Sequence, residues 1–174
     1  MIKTNKNNFR NPLGFTLIEL LLYISIAGAT LLAVVLFSTE LLNARVKNQA
    51  MAEIDQQGIQ IIEIITQAIR NAENINSPAL GQGADALSLG QTDINKNPSI
   101  FYINNNQLYI TEGANLPVVL TNSKIKIFNL SFFNASRSNA PGVVKVEFVL
   151  KYNNLENRQE FEYEKTFKAS ASLR

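Results

Sequence analysis

The spacing of hydrophobic positions changes twice along this chain, and these changes predict three regions of different structure. Residues 15–37 are almost continuously apolar and contain a single charged side chain, Glu19. With a rise of ~1.5 Å per residue, this stretch forms a helix of roughly 34 Å, longer than the ~30 Å hydrocarbon layer of a membrane. We therefore predict a membrane-spanning helix over residues 15–37.

The helical pattern continues beyond residue 37, but there only one face is apolar. Apolar or small side chains recur at alternating steps of four and three residues, which is the spacing of one helical face. They are Ile54, Gly58, Ile61, Ile65, Ala68, Ala72 and Ile75, and Ile59, Ile62 and Ile69 widen the stripe. The sequence Asn76-Ser77-Pro78 is typical of a helix end. We predict one helix from about residue 15 to about residue 76, with residues 38–76 as its amphipathic part.

The apolar positions after residue 77 follow a period of two, which is typical of β-strands. Residues 100–103 and 108–111 flank the polar residues 104–107. This arrangement predicts a β-hairpin with a four-residue loop. Apolar and polar residues also alternate over 144–152, which predicts a further strand.

Two further segments complete the predicted sheet. Residues 161–173 carry apolar side chains on one face, interrupted by Lys165. In residues 124–133 the apolar phase slips between Ile127 and Phe128, as it does at a β-bulge. An antiparallel sheet that packs one face against the amphipathic half of the helix satisfies both patterns. The predicted fold class is α+β, with a β-rich globular head over residues 77–174.

The composition argues against most enzyme classes, because the chain contains neither cysteine nor histidine. It therefore has no thiol nucleophile, no imidazole base and none of the common zinc ligands. We predict a protein that is not an enzyme and that uses no cofactor and no metal.

The positive charge of the chain is concentrated at its start. Residues 1–14 contain Lys3, Lys6 and Arg10 and no acidic residue. Without these three, Lys+Arg falls from 16 to 13 against 14 Asp+Glu, a net charge of about −1. This balance gives no electrostatic reason to expect binding to nucleic acid. A basic segment before an apolar helix instead predicts that the N-terminus stays in the cytoplasm.

Residues 12–21 read Pro-Leu-Gly-Phe-Thr-Leu-Ile-Glu-Leu-Leu, and this sequence resembles the processing site of type IV pilins and pseudopilins. The resemblance implies that a membrane aspartyl peptidase cuts after Gly14 and methylates the new N-terminal Phe15. It also implies that Glu19 pairs with the N-terminal amine of a neighbouring subunit during filament assembly.

The residue types at this junction have physical reasons of their own. Gly14 has no side chain, so that an extended backbone can enter a narrow protease cleft. Glu19 costs a few kcal/mol near the start of a membrane span, which suggests a partner for its carboxylate. Two other interpretations remain: a signal-anchor whose Glu19 reaches the lipid headgroups, and a secretory signal cleaved near residues 27–29.

The resemblance implies a filament subunit made as a membrane-inserted precursor. Its leader is residues 1–14, its location is the inner (cytoplasmic) membrane, and its head lies outside the cytoplasm. The implied partners are the prepilin peptidase/methyltransferase, other pilin or pseudopilin subunits and the inner-membrane assembly platform. The region from residue 56 onward is similar to minor subunits of the J or W type, in a type IV pilus, a type II secretion pseudopilus or a DNA-uptake pilus. The alternatives are a single-span protein that displays a β-domain as a binding module, and a membrane-tethered enzyme.

Three other charged or polar clusters resemble functional sites in part, but each fits a solvent-exposed surface better. Residues 93–97 have the Asp-x-Asn-x-Asn start of a calcium loop, but Pro98 replaces the turn glycine. Glu160, Glu162 and Glu164 alternate along the last predicted strand, which is typical of its solvent-facing side. A final set of basic residues interleaves with acids and predicts a mixed solvent face: Lys145, Lys151, Lys165 and Lys168.

Overall fold

The long helix forms as predicted in the computed structural model, which describes residues 14–154 and 161–174. Helix α1 spans Leu17–Asn71 and has 55 residues. The leader residues Lys3, Lys6 and Arg10 lie outside the described residues, as does Glu160. The chain separates into two compact units between Leu42 and Asn43, and α1 contributes residues to both.

Nine strands follow the helix in the described chain, and all their pairings are antiparallel. The first five are β1 (Ala72–Ser77), β2 (Gly83–Ala84), β3 (Leu87–Gln91), β4 (Ser99–Asn104) and β5 (Gln107–Glu112). The others are β6 (Val118–Val119), β7 (Ile125–Asn134), β8 (Val143–Tyr152) and β9 (Glu164–Ser172), with a short 3-10 helix at Ile94–Lys96. They form a five-stranded sheet of order β1-β3-β4-β5-β6 and a four-stranded sheet of order β2-β7-β8-β9.

The second unit has one hydrophobic core between its part of α1 and the two sheets. The helix buries one face there: Ala50, Ile54, Gln57, Gly58, Ile61, Ile65 and Ile69. Strand residues such as Leu89, Phe101, Phe132 and Phe148 are fully buried in the same cluster. The predicted α+β class, with a helix packed on antiparallel β-structure, is confirmed, although two sheets form instead of one.

The helix ends five residues earlier than the apolar spacing predicts. Residues 72–76 belong to β1, where Ala72 is paired with Gln91 and Ile75 with Leu89 of β3. This segment contains two asparagines, which have low helix propensity, and strand pairing satisfies its backbone instead. Gly90 allows the pairing, because a Cβ at that position would overlap the side chain of Asn74.

The predicted hairpin is present, but its loop has two residues and not four. Asn104 pairs with Gln107, so that only Asn105 and Asn106 make the turn. Both have positive φ, 49° and 59°, which is the geometry of the tight turns that fit twisted strands. Asparagine tolerates this backbone conformation better than most residues.

The other strand predictions differ from the structure in detail. The bulge in β7 is confirmed, but its register shift lies between Phe128 and Ser131, where Asn129 has a φ of 50°. The last strand begins at Glu164, so the residues from Phe161 to Tyr163 precede it.

Among the described residues, two ion pairs connect the helix to β9 and to the turn before β7. Lys165 Nζ donates to Asp55 Oδ1 over 2.8 Å, which explains why a charged residue shares the helix-facing side of β9. Lys124 Nζ donates to Glu53 Oε1 over the same distance. In both pairs the hydrogen bond to the carboxylate raises the pKa of the lysine.

Gly58 is required where the helix meets β9. A Cβ at this position would overlap the ring of Phe167, which stacks on Phe148 with ring centroids 5.4 Å apart. We expect Gly58→Ala to lower the free energy of unfolding of the fragment 43–174 by about 1–3 kcal/mol, the usual cost of overpacking a core. Urea unfolding measures this change, and Ile59→Ala, at an exposed helix position, is the control. A Gly58→Ala fragment as stable as its parent would contradict this packing.

Candidate processing and assembly site at the start of helix α1

The residues around the predicted cleavage point lie just outside the helix. Gly14, Phe15 and Thr16 have no regular secondary structure and are exposed. Thr16 caps the helix: its Oγ1 accepts the backbone N–H of Glu19 over 3.3 Å, and its carbonyl accepts that of Leu20 over 3.2 Å. Because the cap fixes the helix start at Leu17, the Gly14–Phe15 peptide bond is free of helical hydrogen bonds.

Gly14 is open on every side, since a Cβ added there would meet no heavy atom within 4 Å. The structure around Gly14 therefore does not itself demand glycine. A requirement for glycine at this position would have to come from whatever binds the junction.

Glu19 lies in the first turn of α1, within the apolar run. Its Oε1 accepts a hydrogen bond from Tyr23 Oη over 3.4 Å, one helical turn further on. The ring of Tyr23 in turn meets the ring of Phe15 edge-on, with centroids 6.1 Å apart. The structure thus brings together Phe15 and Glu19, which the sequence analysis selected, and adds Tyr23.

The helical surface around this site is apolar and exposed. Large hydrophobic side chains such as Leu17, Ile18, Leu31 and Phe37 are each more than two-thirds exposed. Among the described residues, α1 is the one helix long and apolar enough to cross a membrane, and its most apolar 18 residues are not buried.

Two further residues of this site, Thr16 and Tyr23, were not predicted from the sequence. Thr16 stands three positions before Glu19, and the pattern Thr-x-x-Glu is a known signal for a helix start. Tyr23 stands four positions after Glu19, which places both side chains on one helical face. Both signals are present in the sequence. The prediction for residues 15–37 used the length of the apolar run and not the spacing of the polar residues within it.

The residues that match the start of a calcium loop in part instead stabilise their own loop. Asp93 caps the short helix Ile94–Lys96, and its Oδ1 accepts the N–H of Asn95 over 3.0 Å. Asn97 Oδ1 accepts the N–H of Gln91 over 3.3 Å. These bonds explain why polar residues occur here without reference to an ion.

The predicted mixed solvent face is present for three of the four lysines. Lys145 and Lys151 of β8 point away from the helix, and on the same side Lys168 of β9 pairs with Glu147 over 2.9 Å. Lys165 differs, because it points toward the helix. Of the three glutamates predicted on one strand, Glu164 alone lies within β9, and Glu162 precedes it.

The start of α1 therefore combines an exposed glycine–aromatic peptide bond, a fixed helix start and one carboxylate on an apolar surface. Such an arrangement offers a proteolytic enzyme a peptide bond outside the helix and offers a cationic group an anion in apolar surroundings. No family model, no curated protein sequence and no solved structure matches this chain.

Proposed function

We propose that this chain is a type IV pilin-like precursor, cleaved after Gly14 and assembled into a filament through its N-terminal helix. The filament is a type IV pilus or a pseudopilus of a secretion or DNA-uptake machine, and the chain is one of its minor subunits. The observation that carries the proposal is the exposed Gly14–Phe15 bond directly before a capped apolar helix that bears Glu19 in its first turn.

Cleavage is supported by the local backbone. Proteases bind their substrates as extended strands, and the residues before Leu17 are already outside the helix. A Cβ at Gly14 would meet no heavy atom of the described residues within 4 Å, which leaves room for a peptidase beside the junction. The proposed enzyme is the prepilin peptidase, which also methylates the new amine on Phe15.

The membrane orientation follows from the charges on either side of the apolar run. Lys3, Lys6 and Arg10 precede it, and basic residues tend to remain on the cytoplasmic side. We therefore propose a single-pass protein of the inner membrane with residues 43–174 outside the cytoplasm. This orientation puts Gly14 at the cytoplasmic face.

Assembly is supported by the apolar surface and its one carboxylate. The large hydrophobic side chains of residues 17–42 are exposed in the first unit. A continuous apolar surface of this kind is normally covered by lipid or by another protein. In a filament, neighbouring helices take the place of lipid. Glu19 then pairs with the amine of Phe15 of the next subunit, which sets the register between the two.

The head contributes a surface to the filament and not a reaction. A structural role fits the use of the polar groups in the second unit, where Gln57, Asp93 and Asn134 each bond the backbone of their own fold. The competing role is a single-span protein that displays this head as a binding module without assembly. Cleavage distinguishes the two, because a display module has no need of a new N-terminus.

Determining the N-terminus of the protein from its own membranes tests the proposal. We expect intact-mass analysis to find a chain that begins at N-methylated Phe15. Gly14→Leu should leave the full-length precursor in the membrane, because the added side chain obstructs the peptidase while the helix and its flanking charges remain. Uncut wild-type protein, or a cut beyond Ala29, would reject the filament role.

Gly28→Leu provides the matched control. Gly28 is the second glycine of the first unit and, like Gly14, would contact nothing within 4 Å if it carried a Cβ. It lies inside the helix, so the same substitution there should leave processing at Gly14 intact. Equal inhibition by both variants would mean that the effect comes from the membrane helix and not from the junction.

A further inference from the structure

The hydroxyl groups of the first unit differ in what they bond. Within α1, the serines and threonines donate to carbonyls of their own helix, for example Ser25 to Leu21 over 2.8 Å and Ser38 to Val34 over 2.7 Å. Thr30 and Thr39 do the same. Among the described residues 17–42, Tyr23 alone donates its hydroxyl to a side chain, the carboxylate of Glu19.

The position of the tyrosine hydroxyl is constrained on two sides. A phenol holds its hydroxyl far from the backbone, so it cannot bond a carbonyl of its own helix as the short side chains do. The Tyr23 ring also meets Phe15 edge-on at 6.1 Å, an arrangement that aromatic rings favour. Glu19 and Tyr23 are four residues apart in the helix and share one of its faces, and the ring contact places Phe15, which precedes the helix, beside the same face.

The bond matters because of its surroundings. A carboxylate in an apolar layer loses its hydrogen bonds to water, and a hydroxyl in the same layer loses them as well. A hydrogen bond between the two satisfies both groups, and a bond to a charged acceptor is stronger than a neutral one. It also limits the directions in which the Glu19 carboxylate can point.

We propose that Tyr23 is a positioning residue: its hydroxyl holds the Glu19 carboxylate on the Phe15 face of the helix, ready for the amine of a neighbouring subunit. This inference rests on the proposed function. Before assembly Tyr23 is the partner of the carboxylate, and during assembly it orients the carboxylate toward the incoming amine.

The direct test of the contact uses the full-length precursor in lipid nanodiscs with carbon-13-labelled glutamate. The carboxyl resonance of Glu19 is identified by its loss in Glu19→Ala. We expect Tyr23→Phe, which keeps the ring and removes the hydroxyl, to shift this resonance. Ser25→Ala removes a hydroxyl from the same span that bonds only the backbone, and it should leave the resonance in place. An unchanged resonance in Tyr23→Phe would overturn the proposal.

The test of the role measures incorporation of the processed subunit into filaments, by crosslinking in the native membrane. We expect Tyr23→Phe to be cut at Gly14 normally but incorporated about three- to tenfold less, the range for loss of one hydrogen bond. Ser25→Ala should be incorporated normally. Normal incorporation of Tyr23→Phe while Glu19→Ala is excluded would overturn the role of Tyr23 and leave the proposed function intact. Normal incorporation of Glu19→Ala would overturn the pairing of Glu19 with a neighbouring amine, and the role of Tyr23 with it, while the cleaved filament subunit itself would stand.

Discussion

Ile65→Asp is expected to destabilise the head of this protein by several kcal/mol. Ile65 is fully buried on the helix face that meets both sheets, within the same cluster as Phe101 and Phe148. The substitution removes a packed side chain and leaves a carboxylate without water or a cation, and together these cost at least about 4 kcal/mol. Because a domain of this size is stable by only roughly 5–15 kcal/mol, most of its stability should be lost.

Urea unfolding of the fragment 43–174, followed by circular dichroism, measures this effect. Ile59→Asp is the matched control, since Ile59 lies on the same helix but is 56% exposed. The control should change the free energy of unfolding by less than about 1 kcal/mol, because its carboxylate stays in water. Similar losses in the two variants would mean that the helix packs through a different face.

Glu19→Ala is expected to prevent incorporation of the subunit into filaments without affecting its processing or its fold. In the proposed filament the carboxylate and the amine of the next subunit meet in apolar surroundings, where opposite charges attract strongly. Loss of one member of such a pair costs about 3–5 kcal/mol, which corresponds to a loss of incorporation of roughly 10²-fold to several thousandfold. Insertion into the membrane should not suffer, because the variant has one charge fewer in its span.

Crosslinking of processed subunits in the native membrane measures incorporation, and intact mass measures processing. Glu19→Gln should behave like Glu19→Ala, since it keeps the shape of the side chain and removes its charge. Glu40→Ala removes an exposed carboxylate beyond the apolar run of the same helix and should assemble normally. Full incorporation of Glu19→Ala would limit this carboxylate to recognition by the peptidase.

Much of the fold was predictable, because helices and strands bury residues at different periods. The long helix, the hairpin, the bulge near Phe128 and the α+β class all follow from such periods. The helix stripe was less accurate in detail: Ile69, predicted at its border, is fully buried, whereas Ile59 is more than half exposed. Spacing indicates which side of a helix is apolar, but the shape of the opposing sheets determines how wide the buried stripe is.

The candidate site was predictable as a set of positions and not as an arrangement. Gly14, Phe15 and Glu19 stand out from the sequence because a glycine and an acid border an apolar run. The bond between Glu19 and Tyr23 was not predicted, because the sequence was interpreted as giving Glu19 a partner on a neighbouring subunit. The leader charges lie outside the described residues, and their contribution remains a prediction from sequence.

The sequence by itself determined where the chain is apolar on all sides and where on one face, because these properties depend on residue type and local spacing alone. Other features depended on contacts between distant segments. Residues 72–76 form a strand and do not extend the helix, because their backbone pairs with β3. Gln57 is buried because its Nε2 donates to the carbonyl of Leu120 and its Oε1 accepts the N–H of Asn122. Local sequence patterns do not reveal such partners, because these residues are distant in the sequence and come close only when the tertiary structure forms.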